Sequence, residues 1–240
     1  VTFHVTVVAS KQESSVPQDK GSLPLPTVFT LFLVSGFAAL VYQVVWQRAL
    51  FAIYGVNIES VTIVVTAFML GLGLGSFVGG QLSRDPTRRV LLWFAAIELA
   101  IGVYGAGSLL ILHSVGLATA GAGPVATFGL SFALVLVPTA LMGATLPLLV
   151  AHLVRRSGNV GRSVGALYFV NTLGSAAAAL ATAMWILGGL GQQRTVWLAA
   201  ACNLAVGAAV LYLRRRYVAE QPSVSERSAP LPQPAPSESP

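Results

Sequence analysis

Val28-Phe-Thr-Leu-Phe-Leu-Val-Ser-Gly-Phe-Ala-Ala-Leu-Val-Tyr-Gln-Val-Val-Trp-Gln47 is the first of several long apolar stretches that decide the fold of this chain. It contains no charged residue, and an α-helix needs roughly 20 apolar residues to cross a hydrocarbon core of about 30 Å. Lipid offers no hydrogen-bond partners to backbone N–H and C=O groups, so a crossing stretch must satisfy them internally. The stretch therefore predicts a transmembrane helix.

Six such stretches follow one another. They are residues 28–54, 61–82, 90–112, 125–153, 164–190 and 195–213. The composition agrees, because 55% of the residues are hydrophobic and 9% are charged, whereas a soluble domain carries about 25% charged residues. We predict an all-α integral membrane protein whose six transmembrane helices occupy residues 27–217. Residues 1–26 are predicted to be a disordered cytoplasmic segment, and residues 218–240 a Pro/Ser-rich cytoplasmic tail or linker.

The basic residues alternate between the two sides of the predicted bundle. Of the 14 Lys and Arg residues, all but Arg48 and Arg194 precede the first stretch or follow the second, fourth or sixth. The positive-inside rule then places both termini in the cytoplasm, with the protein in the cytoplasmic (inner) membrane. The net charge of +6 does not indicate a nucleic-acid partner, because the sequence offers no basic face with aromatic or polar base-reading residues.

The sequence indicates no cofactor, metal or catalytic residue on this chain. Its single cysteine, Cys202, lies within the sixth apolar stretch, where a small buried hydrophobic residue is the ordinary interpretation. There is no His/Cys cluster with metal-ligand spacing, no glycine-rich nucleotide loop and no Ser/His/Asp arrangement. Any chemistry must therefore occur within the bilayer or on a partner protein.

Glycines and prolines mark two of the predicted helices. Gly71, Gly75 and Gly79 recur at every fourth residue of the second helix, so they line one face and allow close helix packing. That face either packs within the bundle or forms a sliding or dimerising surface. Pro138 and Pro147 each remove a backbone donor from the fourth helix, which predicts kinks and freed carbonyls that line a cavity.

Glu98 is the most informative ionisable residue. It lies eight residues into the third stretch, or about 12 Å from the edge at 1.5 Å per residue. Charges at such depth are costly and usually face the bundle interior, where they mark a substrate pathway or a proton site. A hydrogen-bonded structural glutamate is an equal alternative, and a cationic substrate would give the carboxylate a role.

Other polar side chains in the apolar stretches are weaker candidates. At the end of the first helix the candidates are Tyr42, Gln43, Trp46, Gln47 and Arg48. They form either an interfacial aromatic belt with an arginine reaching to the surface, or a polar cluster facing a substrate. In the fifth helix they are either interhelical hydrogen-bond partners or site lining. The complete set of substrate-binding candidates is Gln43, Trp46, Arg48, Glu98, Asn171 and Thr172.

Four stretches resemble membrane proteins known as fused major-facilitator/spermidine synthases. They are residues 35–50 (SGFAALVYQVVWQRAL), 67–76 (AFMLGLGLGS), 137–149 (VPTALMGATLPLL) and 165–174 (GALYFVNTLG). The resemblance spans the whole membrane region in order. It implies a membrane module followed by a cytoplasmic domain similar to polyamine aminopropyltransferases, which use decarboxylated S-adenosylmethionine. No catalytic residue of that domain has a counterpart in this chain.

The order of the six predicted helices is compatible with two inverted sets of three, in which the first set begins inside and the second outside. Such an arrangement would resemble half of a major-facilitator fold. Sequence similarity between the two sets is limited to a short segment, in which residues 68–73 (FMLGLG) align with residues 169–174 (FVNTLG).

Three functions are compatible with these observations. The chain is a membrane module that anchors a separate or missing aminopropyltransferase-like domain, or passes it a substrate such as a polyamine or another small cation. Alternatively, it is a half-size transporter, which requires a homodimer or a second membrane half. In the third hypothesis it is a structural membrane subunit without a substrate. The lipid bilayer is the one partner that all three share.

Overall fold

The computed structural model describes residues 23–55, 57–84, 89–119, 121 and 123–219. Within these ranges the chain is helical apart from short connections and contains no β-strand, which confirms the all-α prediction. The predicted N-terminal segment, residues 1–26, and the predicted tail, residues 218–240, lie almost entirely outside the described residues.

Proline and glycine set several of the helix boundaries. α1 and α4 each have a proline in their first turn, where its missing N–H leaves no bond unmade. They end at Gly55 and Gly158, whose φ angles are 69° and 65°, a conformation that glycine adopts without a steric penalty. The elements are α1 Leu25–Tyr54, α2 Asn57–Leu82, α3 Val90–Ala118, α4 Pro124–Ser157, α5 Val160–Ala181, a π-helical turn Thr182–Ile186, and α6 Leu187–Ala219.

Five helical segments are long and apolar enough to cross a membrane. They are Leu25–Ile53, Ser60–Leu82, Val90–Ala118, Val125–Ser157 and Val160–Arg216. These helices are compatible with the predicted membrane protein. The sequence predicted six crossings, and the described residues give five, because the fifth and sixth stretches form one helical run of 57 residues.

The backbone of that long run is interrupted at Gly191. Its φ of 73° and ψ of 170° are not helical and belong to a region open to glycine. The π-helical turn Thr182–Ile186 lies just before it, and such turns are uncommon within α-helices. The run is therefore not a single straight helix.

The glycine stripe of α2 lies against α4. A Cβ atom at Gly71 would collide with Thr139, one at Gly75 with the carbonyl oxygen of Ala140, and one at Gly79 with Ala144. The two backbones approach this closely because each glycine lacks a side chain on the contact face.

The α5–α1 contact is similar to the α2–α4 contact, because each contains a serine hydroxyl bonded to a glycine carbonyl of the neighbouring helix. The Ser76 hydroxyl of α2 donates a hydrogen bond of 3.1 Å to the carbonyl oxygen of Gly143 in α4. In α5 the Ser175 hydroxyl donates one of 3.0 Å to the carbonyl oxygen of Gly36 in α1. The α2–α4 and α1–α5 pairs thus share one packing arrangement.

The matching residues differ by two positions from the expected alignment of residues 68–73 with 169–174. Gly174 contacts α1 in the way that Gly75 contacts α4, whereas the expected alignment pairs Gly174 with Gly73. In their packing contacts, Leu74-Gly75-Ser76 of α2 corresponds to Leu173-Gly174-Ser175 of α5. Close packing selects Gly75, since a Cβ at Gly73 would meet nothing within 4 Å.

The contact between α3 and α6 is reciprocal. Gly102 of α3 lies against the side chain of Leu204 in α6, and Gly207 of α6 lies against the side chain of Leu99 in α3. The two helices therefore run antiparallel. The segments in contact have similar sequences, residues 95–102 (AAIELAIG) and 200–207 (AACNLAVG).

Each internal proline of α4 frees a carbonyl that a neighbouring helix then uses. Pro138 has no N–H to donate to Leu134, and the Leu134 carbonyl oxygen accepts a hydrogen bond of 2.7 Å from the Tyr104 hydroxyl of α3. Lipid could not supply such a donor, so a neighbouring side chain must.

Pro147 of α4 shows the same arrangement, with a donor from α2 instead of α3. The carbonyl it leaves free is that of Gly143, the acceptor of the Ser76 hydrogen bond. α4 continues as a helix through both prolines, and the predicted kinks stay a prediction.

We expect Gly75→Ala to destabilise the protein, because its methyl group would push α2 away from Ala140. Overpacking of this kind costs about 1–3 kcal/mol. Thermal unfolding in detergent measures the effect, and Gly73→Ala is the matched control because its Cβ would meet open space. Equal melting temperatures for the two variants would contradict the described α2–α4 contact.

We expect Tyr104→Phe to lower the melting temperature in the native Pro138 background by leaving the Leu134 carbonyl without a donor. An unsatisfied buried polar group costs about 1–3 kcal/mol. In a Pro138→Ala background the new backbone N–H of residue 138 reaches Leu134, so Tyr104→Phe should then have a smaller effect. A double-mutant cycle measures the difference, and strictly additive effects would contradict this role of Tyr104.

Candidate functional site

Glu98 is fully buried at the junction of three helices. The Ser35 hydroxyl of α1 donates to its Oε1 at 2.6 Å, and the Asn203 amide nitrogen of α6 donates to its Oε2 at 2.6 Å. In the described part of the chain no Lys or Arg pairs with it. The carboxyl group thus links α1, α3 and α6 through neutral donors alone.

Two polar atoms beside this junction have unused hydrogen-bonding capacity. The Tyr42 hydroxyl and the Asn203 Oδ1 are buried and have no hydrogen-bond partner among the described residues. The Tyr42 hydroxyl lies against Gly105 of α3, seven residues after Glu98. Buried polar atoms usually have partners, so these two atoms mark places where a water molecule or a ligand group would be stabilised.

An aromatic cluster supports the same region. Trp46 is buried, and its indole N–H donates to the Ser108 hydroxyl at 2.9 Å. Its ring stacks on Tyr42 with centroids 5.1 Å apart and meets the edge of Tyr104 at 6.4 Å. Both Tyr42 and Trp46 are about as inaccessible as Glu98. They form part of the bundle core, so the interfacial-belt interpretation is wrong for these two residues.

A cavity of about 260 Å³ lies between α1, α2, α4 and α5. Its polar lining comes from Ser35, Ser76, Thr145, Tyr168 and Asn171. Ser35 connects the two features, since this residue lines the cavity and its hydroxyl donates to Glu98. One residue of α1 therefore borders both the cavity and the buried carboxyl group.

The serine and threonine hydroxyls of this lining keep acceptor rather than donor capacity, whereas the Tyr168 hydroxyl can donate or accept. The hydrogen of Ser35 is donated to Glu98, that of Ser76 to the Gly143 carbonyl, and that of Thr145 to the Met142 carbonyl. A hydroxyl oxygen whose hydrogen is donated still accepts through its lone pairs. The cavity is therefore complementary to a ligand rich in N–H donors.

The structure brings together only part of the candidate set from the sequence. Glu98 and Asn171 both adjoin Ser35, and Asn171 donates to the Phe32 carbonyl at 3.3 Å. Trp46 lies in the aromatic cluster. Gln43 is half-buried on α1, while Arg48 and Thr172 are exposed, and none of these three lines the cavity.

Sequence reasoning missed Ser35 and Asn203. A signal for Asn203 was present, because it occupies the same place in residues 200–207 as Glu98 does in residues 95–102. Ser35 had no comparable signal, since an isolated serine in an apolar helix usually bonds its own backbone.

Comparison with known proteins gives distant relatives that are all named polyamine aminopropyltransferase. The chain is 27% identical over 203 residues to polyamine aminopropyltransferase 1 of Ralstonia nicotianae, covering 83% of this chain and 36% of that protein. It is 28% identical over 211 residues to polyamine aminopropyltransferase 2 of Streptomyces coelicolor, covering 83% of this chain and 37% of that protein. A third relative, polyamine aminopropyltransferase of Oceanobacillus iheyensis, is 23% identical over 77% of this chain and 35% of its own length.

The chain thus spans about a third of the length of the curated relatives it matches. No family model matches it, and the comparison with solved structures found no significant match.

We expect Glu98→Ala to be strongly destabilising, because the Ser35 and Asn203 donors both lose their acceptor. Each unsatisfied donor costs about 1–3 kcal/mol. Asn203→Ala removes one of the same bonds, so the double variant should be less destabilised than the sum of the two single variants. Thermal unfolding of the four proteins gives the coupling, and additive effects would show that the two side chains do not interact.

Proposed function

We propose that this chain is a membrane module of a polyamine aminopropyltransferase-like system that binds small organic ammonium ions within the bilayer. The distant relatives carry that enzyme's name, and their alignments cover most of this helical, apolar chain but about a third of each relative. The module would anchor an aminopropyltransferase-like domain at the cytoplasmic face and present substrate to it. The observation that carries the ammonium ligand is the cavity in which Ser35, Ser76 and Thr145 keep acceptor capacity, with Ser35 bonded to Glu98.

The module is proposed to cross the membrane six times. A straight helix of 57 residues would be about 85 Å long, close to three times the hydrocarbon thickness. The interruption at Gly191 and the antiparallel contact of α3 with α6 support a reversal between two crossings.

We also propose a 3+3 inverted repeat that resembles half of a major-facilitator fold. Exchanging α1, α2 and α3 with α4, α5 and α6 converts the three glycine-mediated helix pairs, α2–α4, α1–α5 and α3–α6, into one another or into themselves. The α2–α4 pair becomes α5–α1, with Ser76 and Gly143 replaced by Ser175 and Gly36. The exchange leaves the α3–α6 contact unchanged, because it only swaps the two helices, and it places Glu98 at the position of Asn203.

Both termini are proposed to lie in the cytoplasm. Two arginines of α4 support this, because Arg155 donates to the carbonyl oxygen of Ser83 at the end of α2, and Arg156 donates to that of Leu23 at the start of α1. The arginine-rich ends of the helices therefore meet at one end of the bundle, as the positive-inside rule requires.

The ligand class follows from charge and hydrogen bonding together. An ammonium group carries three N–H donors and no acceptor, which complements the oxygens of Ser76, Thr145 and Asn171. Glu98 supplies the opposite charge behind Ser35. Rotation of the Ser35 hydroxyl would let a ligand N–H take its place at Oε1 without leaving the carboxyl unsatisfied.

Binding of radiolabelled spermidine to the purified protein in lipid nanodiscs tests the proposal. The native protein should bind it, and Glu98→Gln should weaken binding at least about tenfold, as expected for loss of a charge-assisted bond. Asn171→Ala should weaken binding less. Thr172→Ala is the matched control, because the exposed Thr172 follows Asn171 but does not line the cavity.

Failure of the native protein to bind spermidine or putrescine would overturn the ammonium site and favour a structural membrane subunit. Equal binding by the native, Glu98→Gln and Asn171→Ala proteins would place the ligand elsewhere.

A further inference from the structure

A second cavity, of about 400 Å³, lies where α4 ends and α5 begins, beside the start of α1. Its polar lining is provided by Arg156, Ser157, Arg162 and Ser163. None of these residues touches the Glu98 site. We call this cavity the arginine pocket.

The turn between α4 and α5 holds the two arginines at one pocket. Gly158 reverses the chain with its positive φ. Asn159 then caps α5 by accepting a bond of 2.9 Å from the backbone N–H of Arg162, and the hydroxyls of Ser157 and Ser163 lie 3.1 Å apart. The turn is short and internally bonded, so the backbone positions of Arg156 and Arg162 are fixed relative to each other.

The arginine pocket has an uncompensated positive charge. Arg156 donates to the backbone carbonyl of Leu23, which carries no net charge. Arg162 is exposed, and its guanidinium group has no hydrogen-bond or ion-pair partner among the described residues. Among the described residues, no acidic side chain lines the pocket. A bidentate guanidinium group is well matched to a phosphate.

The remaining wall of the pocket is apolar. It consists of Leu25, Phe29, Leu153 and Ala166. A free phosphate ion would gain nothing from these side chains, whereas an acyl chain would bury apolar surface against them. The combination of guanidinium groups and an apolar wall at a helix end therefore matches a phospholipid.

The position of the pocket agrees with this ligand. It lies at the arginine-rich end of the bundle, where Arg155 also bonds to the end of α2. In the proposed topology this end faces the cytoplasmic leaflet, whose anionic lipids attract basic side chains next to transmembrane helices.

We propose that the arginine pocket binds one anionic phospholipid, with its phosphate held by Arg162 and Arg156 and an acyl chain lying along Phe29 and Leu153. The inference uses residues that the ammonium site does not use. Failure of either proposal would therefore leave the other untouched.

Native mass spectrometry of the detergent-solubilised protein with added phosphatidylglycerol or phosphatidylcholine tests the proposal. The native protein should retain one phosphatidylglycerol at lower lipid concentration than phosphatidylcholine. Arg162→Gln should weaken phosphatidylglycerol binding by about tenfold, as expected for loss of one charge-assisted contact. Arg215→Gln is the matched control, since Arg215 is also exposed and does not line the pocket. Spermidine binding should be the same in all these proteins.

Three outcomes would overturn the proposal. Equal retention of phosphatidylglycerol and phosphatidylcholine would remove the role of charge. Protection against thermal unfolding by inorganic phosphate that matches protection by phosphatidylglycerol would indicate a free-phosphate site. Tighter phosphatidylglycerol binding after deletion of residues 1–22 would indicate that the chain itself occupies the pocket.

Discussion

A polar group inside an apolar helical bundle is costly unless it finds a partner within the protein, and the arrangement of this chain depends on that constraint. It makes the apolar stretches helical. It also explains why the carbonyls freed by Pro138 and Pro147 face Tyr104 and Ser76. The same constraint draws Ser35 and Asn203 to Glu98, so that one carboxyl group links three helices.

Close packing determines where space remains. The glycines of α2 and α5 bring these helices against α4 and α1, and the cavity beside Ser35 lies among these four helices. The serine hydroxyls that join the pairs have their hydrogens donated to backbone carbonyls. Of these two serines, Ser76 lines the cavity, and its oxygen can still accept a hydrogen bond from the proposed ammonium ligand.

The sequence predicted the class of the protein and its most unusual residue. Glu98 was recognisable because an isolated acid in an apolar stretch is costly unless it has a partner. The glycine stripe of α2 was recognisable from its spacing. The described residues give five candidate crossings and the sequence predicted six. The difference arises because the chain between Ala181 and Gly191 stays helical and apolar instead of forming a polar loop. Tyr42 and Trp46 were misplaced because aromatic residues near a helix end resemble an interfacial belt.

By itself, the sequence determined that the chain is helical, apolar and asymmetric in its basic residues, since these properties follow from composition and local spacing. Only the tertiary structure decided which polar residues meet. Ser35, Glu98 and Asn203 are far apart in the chain, and Arg156 and Arg162 share a pocket because a glycine turn places them side by side. Such meetings depend on how helices pack against one another, and helical periodicity within a single stretch carries no information about the register between two helices.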